Sequence, residues 1–323
     1  MEKASKILRI DAPCGEIILP YGKIKGEKAG PRVVVSAGVH GCEYASIRAA
    51  ISLFQALSPE MVSGEVDVVP IVNLPAFHER VPFVCPRDGK NPNRVCPGDP
   101  DGSYSEALVW HLLHDIVEGA DCYIDLHCGD LIEKIEPFSI YHQGGDPEIE
   151  RCSRELTYAY GIPNIIATGE TTSWPDHYTT YANAAKMGTP AFIAECGGFG
   201  QMDPKDVQTH LRGLRRVLRR LGVLQGEASG PFAAQREFSD FIWLYTPVGG
   251  IYIPEATIGD EVAEGQRVGA IVDYFGEELS ELKAPAEGRI LFVETTPAIP
   301  DNGLILAVGK HLNAQEEKEE KAV

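Results

Sequence analysis

The sequence predicts an α/β protein, a largely parallel sheet flanked by helices, followed by a smaller all-β part. Three observations carry this reading. Four apolar runs of strand length, "RVVVSAGVH", "VDVVPIVN", "CYIDLH" and "PAFIAE", suit strands buried on both faces. Segments with apolar residues at helical spacing lie between them, and strand–helix alternation favours parallel pairing. Near residue 230 the texture changes to short stretches punctuated by Gly and Pro, with no convincing helical period.

In chain order, residues 1 to about 30 read as short strands and turns, with "GEIILPYGKIKG" as a hairpin candidate. "RVVVSAGVH" ends at His40, and "YASIRAAISLFQAL", residues 44–57, then repeats apolar positions at helical spacing. After "VDVVPIVN" comes a long polar loop, residues 85–103, "CPRDGKNPNRVCPGDPDGS". "SYSEALVWHLLHDIVEGA" opens with a capping-box pattern, Ser103 to Glu106. "CYIDLH" ends at His127 and "PAFIAE" at Glu195. "DVQTHLRGLRRVLRRLGVL" has a basic face and stops near Gly222. The expected divisions are 1–230 for the α/β part, 231–310 for the β part, and 311–323 for a charged, disordered tail. Within the β part, "PVGGIYIPEATIGDEVAEGQRVG" and "PAEGRILFVETTPAIPDNGLIL" look like two related halves.

The 323 residues are enough for two domains, and 44% hydrophobic with 24% charged residues is ordinary for a soluble globular chain. A formal net charge of -18 argues against nucleic acid or an anionic membrane as partner, because both would be repelled. "MEKASKILRIDAP" lacks the apolar centre of a secretory signal, and no run approaches the ~20 apolar residues of a membrane span. The eight cysteines include no CxxC pair and read as reduced thiols, so a cytoplasmic location is expected.

In open α/β sheets, ligands bind beyond the carboxyl ends of the strands. His40, His127 and Glu195 each close an apolar strand there, and Glu43 follows His40 by three at the start of a helix. HxxE alone is a common, weak pattern, and a histidine closing one strand is often a hydrogen-bonded structural group. Three polar residues closing three buried strands are harder to assign to structure alone. Two imidazoles and a carboxylate make the ligand set of a catalytic zinc with one position open, where water becomes acidic enough to react near neutral pH. A further carboxylate can take the proton, and Glu195 is the candidate. Asp125 lies two before His127 on the same strand face, suited either to orienting a metal-bound histidine or to a plain buried hydrogen bond. In the polar loop, Arg87, Lys90, Asn93 and Arg94 offer groups that bind carboxylates or oxyanions, although a solvated loop has the same composition.

"GVHGCE", "NPNRVCPGDPDGS", "DLH" and "AECGGFG", in this order, resemble the succinylglutamate desuccinylase and aspartoacylase family, part of the wider zinc-carboxypeptidase group. The resemblance runs from about residue 15 to 310 and looks closest to bacterial members of the N-acetyl-diaminobutyrate deacetylase type. It implies a zinc-carboxypeptidase-like α/β domain, one Zn2+ per chain, and hydrolysis of the amide of a small N-acyl amino acid. His40, Glu43 and His127 match the zinc ligands, and Glu195 matches the base. Arg87 looks like the arginine that polarises the scissile carbonyl, and Asn93 with Arg94 like the pair holding the substrate carboxylate. Pro92 before that pair and Cys96 before Pro97-Gly98 depart from the family pattern. A family tyrosine matches Tyr178, Tyr181 or Tyr245, which the sequence does not separate. Cys42, Cys128 and Cys196, beside site residues, read as small packed residues. The C-terminal part resembles a barrel-sandwich hybrid, but Lys283 lies beyond the expected hairpin tip, so no attached cofactor is expected. A carboxypeptidase-like peptidase and a non-catalytic metal-bound module are the alternatives, and homo-oligomerisation is left open.

Overall fold

The computed structural model describes residues 1–173, 176–227 and 234–312. The division at residue 230 and the tail from 313 onward fall outside the described residues. The strands are β1 (Glu2–Ala12), β2 (Gly15–Lys25), β3 (Lys28–Ala37), β4 (Ser63–Val69), β5 (Cys122–His127), β6 (Glu133–Ile135), β7 (Phe138–His142), β8 (Asn164–Thr168), β9 (Ala191–Glu195) and β10 (Arg236–Tyr245). They continue with β11 (Gly250–Pro254), β12 (Glu261–Val262), β13 (Arg267–Val272), β14 (Glu278–Lys283), β15 (Gly288–Glu294), β16 (Ala298–Ile299) and β17 (Leu304–His311). The α-helices are α1 (Tyr44–Ala56), α2 (Leu74–Glu79), α3 (Tyr104–His111), α4 (Pro147–Tyr160), α5 (Thr180–Lys186) and α6 (Pro204–Arg220).

A 13-stranded sheet runs β1-β2-β4-β3-β5-β9-β7-β8-β10-β17-β15-β12, with β6 added on β15. The expected largely parallel sheet is corrected here. Parallel pairing is confined to β4–β3–β5–β9 and β7–β8–β10, and antiparallel pairs outnumber it. The reason lies in the connections: parallel neighbours need a crossover helix such as α1 between β3 and β4, whereas β1 and β2 are joined by a short turn that reverses the chain. The hairpin expected within residues 15–26 is also corrected. That stretch is one strand, β2, paired along its length with β1. Gly22 serves a close approach rather than a turn, since a Cβ there would lie 2.6 Å from the Phe54 ring.

Residues 234–312 contain strands and no helix among the described residues. They are joined to the rest by hydrogen bonding, because β10 lies parallel to β8 and carries β17, β15 and β12 into the main sheet. A second sheet, β14-β13-β11-β16, packs its apolar face on this extension around Val268, Ile271, Ile290 and Ile305.

Alternating side chains of the central strands feed two cores. Val33, Val35, Ile124 and Phe192 face α1, α4 and α6, whereas Val34, Tyr123 and Ile193 face α3 and α5. The helix α4 starts at Asp146, whose carboxylate accepts the N–H groups of Glu148 and Ile149, and ends at Gly161 with φ 96°. From α4, Arg154 and Tyr158 both hold Glu237 of β10, at 2.7 and 2.6 Å. No helix among the described residues is long and apolar enough to cross a membrane.

Candidate active site and metal centre

The strands β3, β5 and β9 are neighbours, so the residues closing them meet. Ala37 pairs with Leu126, and His127 pairs directly with Glu195. After β3 the chain turns tightly against α2: a Cβ on Gly41 would lie 2.2 Å from the Phe77 nitrogen, so only glycine lets the turn sit there. This turn carries His40 inward and puts Glu43 at the start of α1.

His40 Nδ1 lies 2.6 Å from Glu43 Oε1, and His127 Nδ1 lies 3.1 Å from Glu43 Oε2. One donor atom from each of the three residues lies within 4.8 Å of the others. The donor set fits a divalent cation: two imidazole nitrogens face one carboxylate, all three side chains are largely or fully buried, and the sets around them are acidic. Burial works against ionisation of Glu43, yet the flanking His127 and His40 outweigh it and hold the carboxyl at about 2. Burial also opposes a charged His127, and Glu43 with Asp125 push its pKa well up. The cluster therefore favours positive charge at its centre.

Each histidine has a polar group close behind its far ring nitrogen. Asp125 Oδ2 lies 3.1 Å from His127 Nε2, on the side away from Glu43. Ser36 donates to Asp125 at 2.5 Å, and the Thr180 hydroxyl donates to its other oxygen. His40 Nε2 faces Asn91 Oδ1 at 3.1 Å. Asn91, Ser36 and Thr180 were not among the residues the sequence reading singled out. Asn91 stands two before Asn93 in the polar loop, which was its only signal. Because partners behind a metal-binding histidine hold its tautomer and direction, Asp125→Ala is expected to weaken the binding of a divalent cation such as zinc by about 10–100-fold. Competition with a chromogenic chelator measures this, and unchanged affinity would assign Asp125 to packing alone.

The loop delivers its Asn-Arg pair to the site. Asn91 accepts the Asn93 N–H at 2.8 Å and shapes the short turn Pro92–Arg94, so Pro92 is compatible with the pair's inward position. Asn93 is buried and accepts the Thr180 N–H at 2.9 Å. Arg94 lines the same cavity, and desolvation there lowers its pKa, opposed by Tyr181, Tyr245 and Glu195 nearby. Arg87 is the correction. It is exposed, with its guanidinium 6.0 Å from the Tyr104 ring, and does not line the cavity. The cause is Asp88, which is fastened to the N–H and hydroxyl of Ser105 at 2.8 and 2.9 Å and turns its neighbour outward. Just before this loop, Phe83, with φ 59°, also lines the cavity.

Of the three tyrosines, Tyr245 lines the cavity, Tyr181 is buried with its hydroxyl on Thr168 at 2.7 Å, and Tyr178 is half exposed. Cys42, Cys128 and Cys196 are buried free thiols whose pKa burial pushes up. Glu195 faces the cavity beside His127. Desolvation raises its carboxyl to about 8, with His127 and Arg94 opposing and Glu43 and Asp125 adding. The cavity holds about 450 Å³ and is lined at one end by His40, Glu43, His127, Glu195, Asn93 and Arg94.

The profile of the "Succinylglutamate desuccinylase/Aspartoacylase catalytic domain" matches residues 29–221. The chain is 31% identical over 306 residues to the N-alpha-acetyl-L-2,4-diaminobutyric acid deacetylase of Halomonas elongata, covering 91% of this chain and 86% of that one. Among solved structures, a succinylglutamate desuccinylase/aspartoacylase from Rhodobacter sphaeroides is 25% identical with a TM-score of 0.84, covering 96% of each chain. The product-bound ectoine utilization protein EutE (DoeB) from Ruegeria pomeroyi is also 25% identical, with a TM-score of 0.85 over 95% of each chain. The ordered motifs, the sheet and the matched profile agree, and the chain belongs to the succinylglutamate desuccinylase/aspartoacylase family, a family of enzymes that cleave the amide of N-acyl amino acids.

Proposed function

We propose that this chain is a zinc-dependent hydrolase that cleaves the amide bond of an N-acyl amino acid, with Glu195 as proton carrier. The observation that carries the reading is the meeting of His40, Glu43 and His127 around one point, with Glu195 on the adjoining strand. Bound by those three residues, one Zn2+ per chain would acidify water and polarise the acyl carbonyl. Glu195 accepts a proton from the attacking water and returns it to the leaving amine nitrogen. Arg94 and Asn93 hold the substrate carboxylate and so fix the amide against the ligand cluster. Arg87 receives no role, since it lies outside the cavity.

The identity to a deacetylase favours an acetyl over a succinyl group. The division into residues 1–230 and 231–310 belongs to the same reading, with the barrel-sandwich-hybrid-like part supplying Trp243, Tyr245 and Glu294 to the cavity wall. Lys283 ends β14 and pairs with Glu281 at 2.9 Å, a position unlike that of a cofactor-bearing lysine. A small-molecule partner and a cytoplasmic setting go with this function. The test is a panel of N-acetyl and N-succinyl amino acids and short peptides, followed by amine release. Turnover of acyl amino acids, lost on chelation and restored by zinc, is expected. Faster release from peptide C-termini, or no turnover by zinc-loaded protein, would contradict it.

A further inference from the structure

We propose that the substrate of this site carries a large apolar group, aromatic or branched aliphatic, which rests on a floor of side chains running from Glu195 along the sheet. The inference builds on the deacylase reading and adds the substrate class.

The strand period puts Glu195 and Ile193 on one face of β9. On the neighbouring β7, Phe138 pairs with Glu195 and Ile140 pairs with Ile193. An apolar floor therefore begins at the residue pair that holds the base. Further round the curled sheet, β10 presents Phe241 and Trp243 with the same period, and β15 presents Phe292. Their rings form a continuous wall: Phe138 to Phe241 is 5.2 Å between centroids, Phe241 to Trp243 5.1 Å, and Trp243 to Phe292 5.0 Å. Phe83 also lines the cavity.

At the reaction end of the cavity the charged groups are those of the ligand cluster, Glu195, and Arg94, which faces the substrate carboxylate. Glu133 and Glu294 face each other in register, each held through one carboxylate oxygen: Glu133 Oε2 accepts the Asp130 N–H at 2.7 Å, and Glu294 Oε1 accepts the N–H groups of Thr295 and Thr296 at 3.0 and 3.1 Å. A polar side chain laid against Phe138, Phe241 and Phe292 would lose its water without gaining a hydrogen bond from those rings. Phe138, Phe241 and Phe292 are nearly fully buried, so an apolar group would meet this wall chiefly at the partly buried Trp243 and release water there. A cavity of about 450 Å³ is of the size that encloses such a group together with the amide.

The test compares kcat/KM of the zinc-loaded protein for N-acetylphenylalanine and N-acetylleucine against N-acetylaspartate and N-acetyl-2,4-diaminobutyrate. Acetylglycine against benzoylglycine reports whether the apolar group sits at the acyl end. Calorimetric binding of the same compounds to the zinc-loaded Glu195→Gln protein gives a readout that needs no turnover. The apolar compounds are expected to be favoured by at least about tenfold in both measurements, and Trp243→Ala is expected to shrink that preference. Turnover confined to the aspartate or diaminobutyrate compound overturns the inference and leaves the deacylase reading intact. Apolar-selective binding with no turnover of any compound rejects the deacylase reading and keeps the inference. Neither binding nor turnover rejects both.

Discussion

Glu195→Gln is expected to lower turnover by about 10²–10⁴-fold while the protein keeps its zinc. The substitution preserves size and shape next to His127 but removes the group that accepts a proton. Burial, with Glu43 and Asp125 adding and His127 and Arg94 opposing, pushes this carboxyl up to about 8. With a divalent cation on the three ligands, that positive charge favours the carboxylate and so the basic form near neutral pH. Amine release under steady-state conditions, with metal analysis of the dialysed variant, checks the prediction. Near-normal turnover would remove Glu195 as the proton carrier.

His127→Ala is expected to abolish both zinc retention and activity. Two ligands remain, His40 and Glu43, and two are too few for a catalytic site of three protein ligands. The variant also leaves Asp125 and Glu43 buried without the imidazole between them. Breaking such a buried arrangement from one side costs about 3–5 kcal/mol, so denaturant unfolding is expected to show a lower midpoint. His40→Ala, at a less enclosed position, serves as the second arm and should lose zinc with a smaller loss of stability. Full zinc occupancy in either variant would refute the ligand assignment.

Much of the site was legible in the sequence because polar residues closing apolar strands have few structural reasons to be there. His40, Glu43, His127 and Glu195 meet as that pattern indicates, since β3, β5 and β9 are neighbours in the sheet. Asp125 was legible from its period-two spacing to His127. Arg87 was misread because a motif fixes chain spacing and not direction, and the hold of Asp88 on Ser105 decides where the loop points. Thr180 left no sequence signal, because its partners Asp125 and Asn93 are brought to it only by tertiary packing. The four apolar runs and three helices stood out by period. The helix α4 did not, although Asp146-Pro147 and Gly161 mark its two ends, because its buried face includes the polar Ser153 and Thr157 beside Leu156 and Tyr160 and so breaks the apolar period. The antiparallel flanks were hidden for a different reason: pairing direction depends on how each connection crosses the sheet, which local patterns do not encode.

The most direct test of the central claim is an anomalous difference map, collected at the zinc absorption edge from a crystal of the zinc-loaded protein. The account predicts a single strong peak at bonding distance, about 2.0–2.2 Å, from His40 Nδ1, His127 Nδ1 and the Glu43 carboxylate. No peak between those three side chains, or a peak held by other residues, would contradict it.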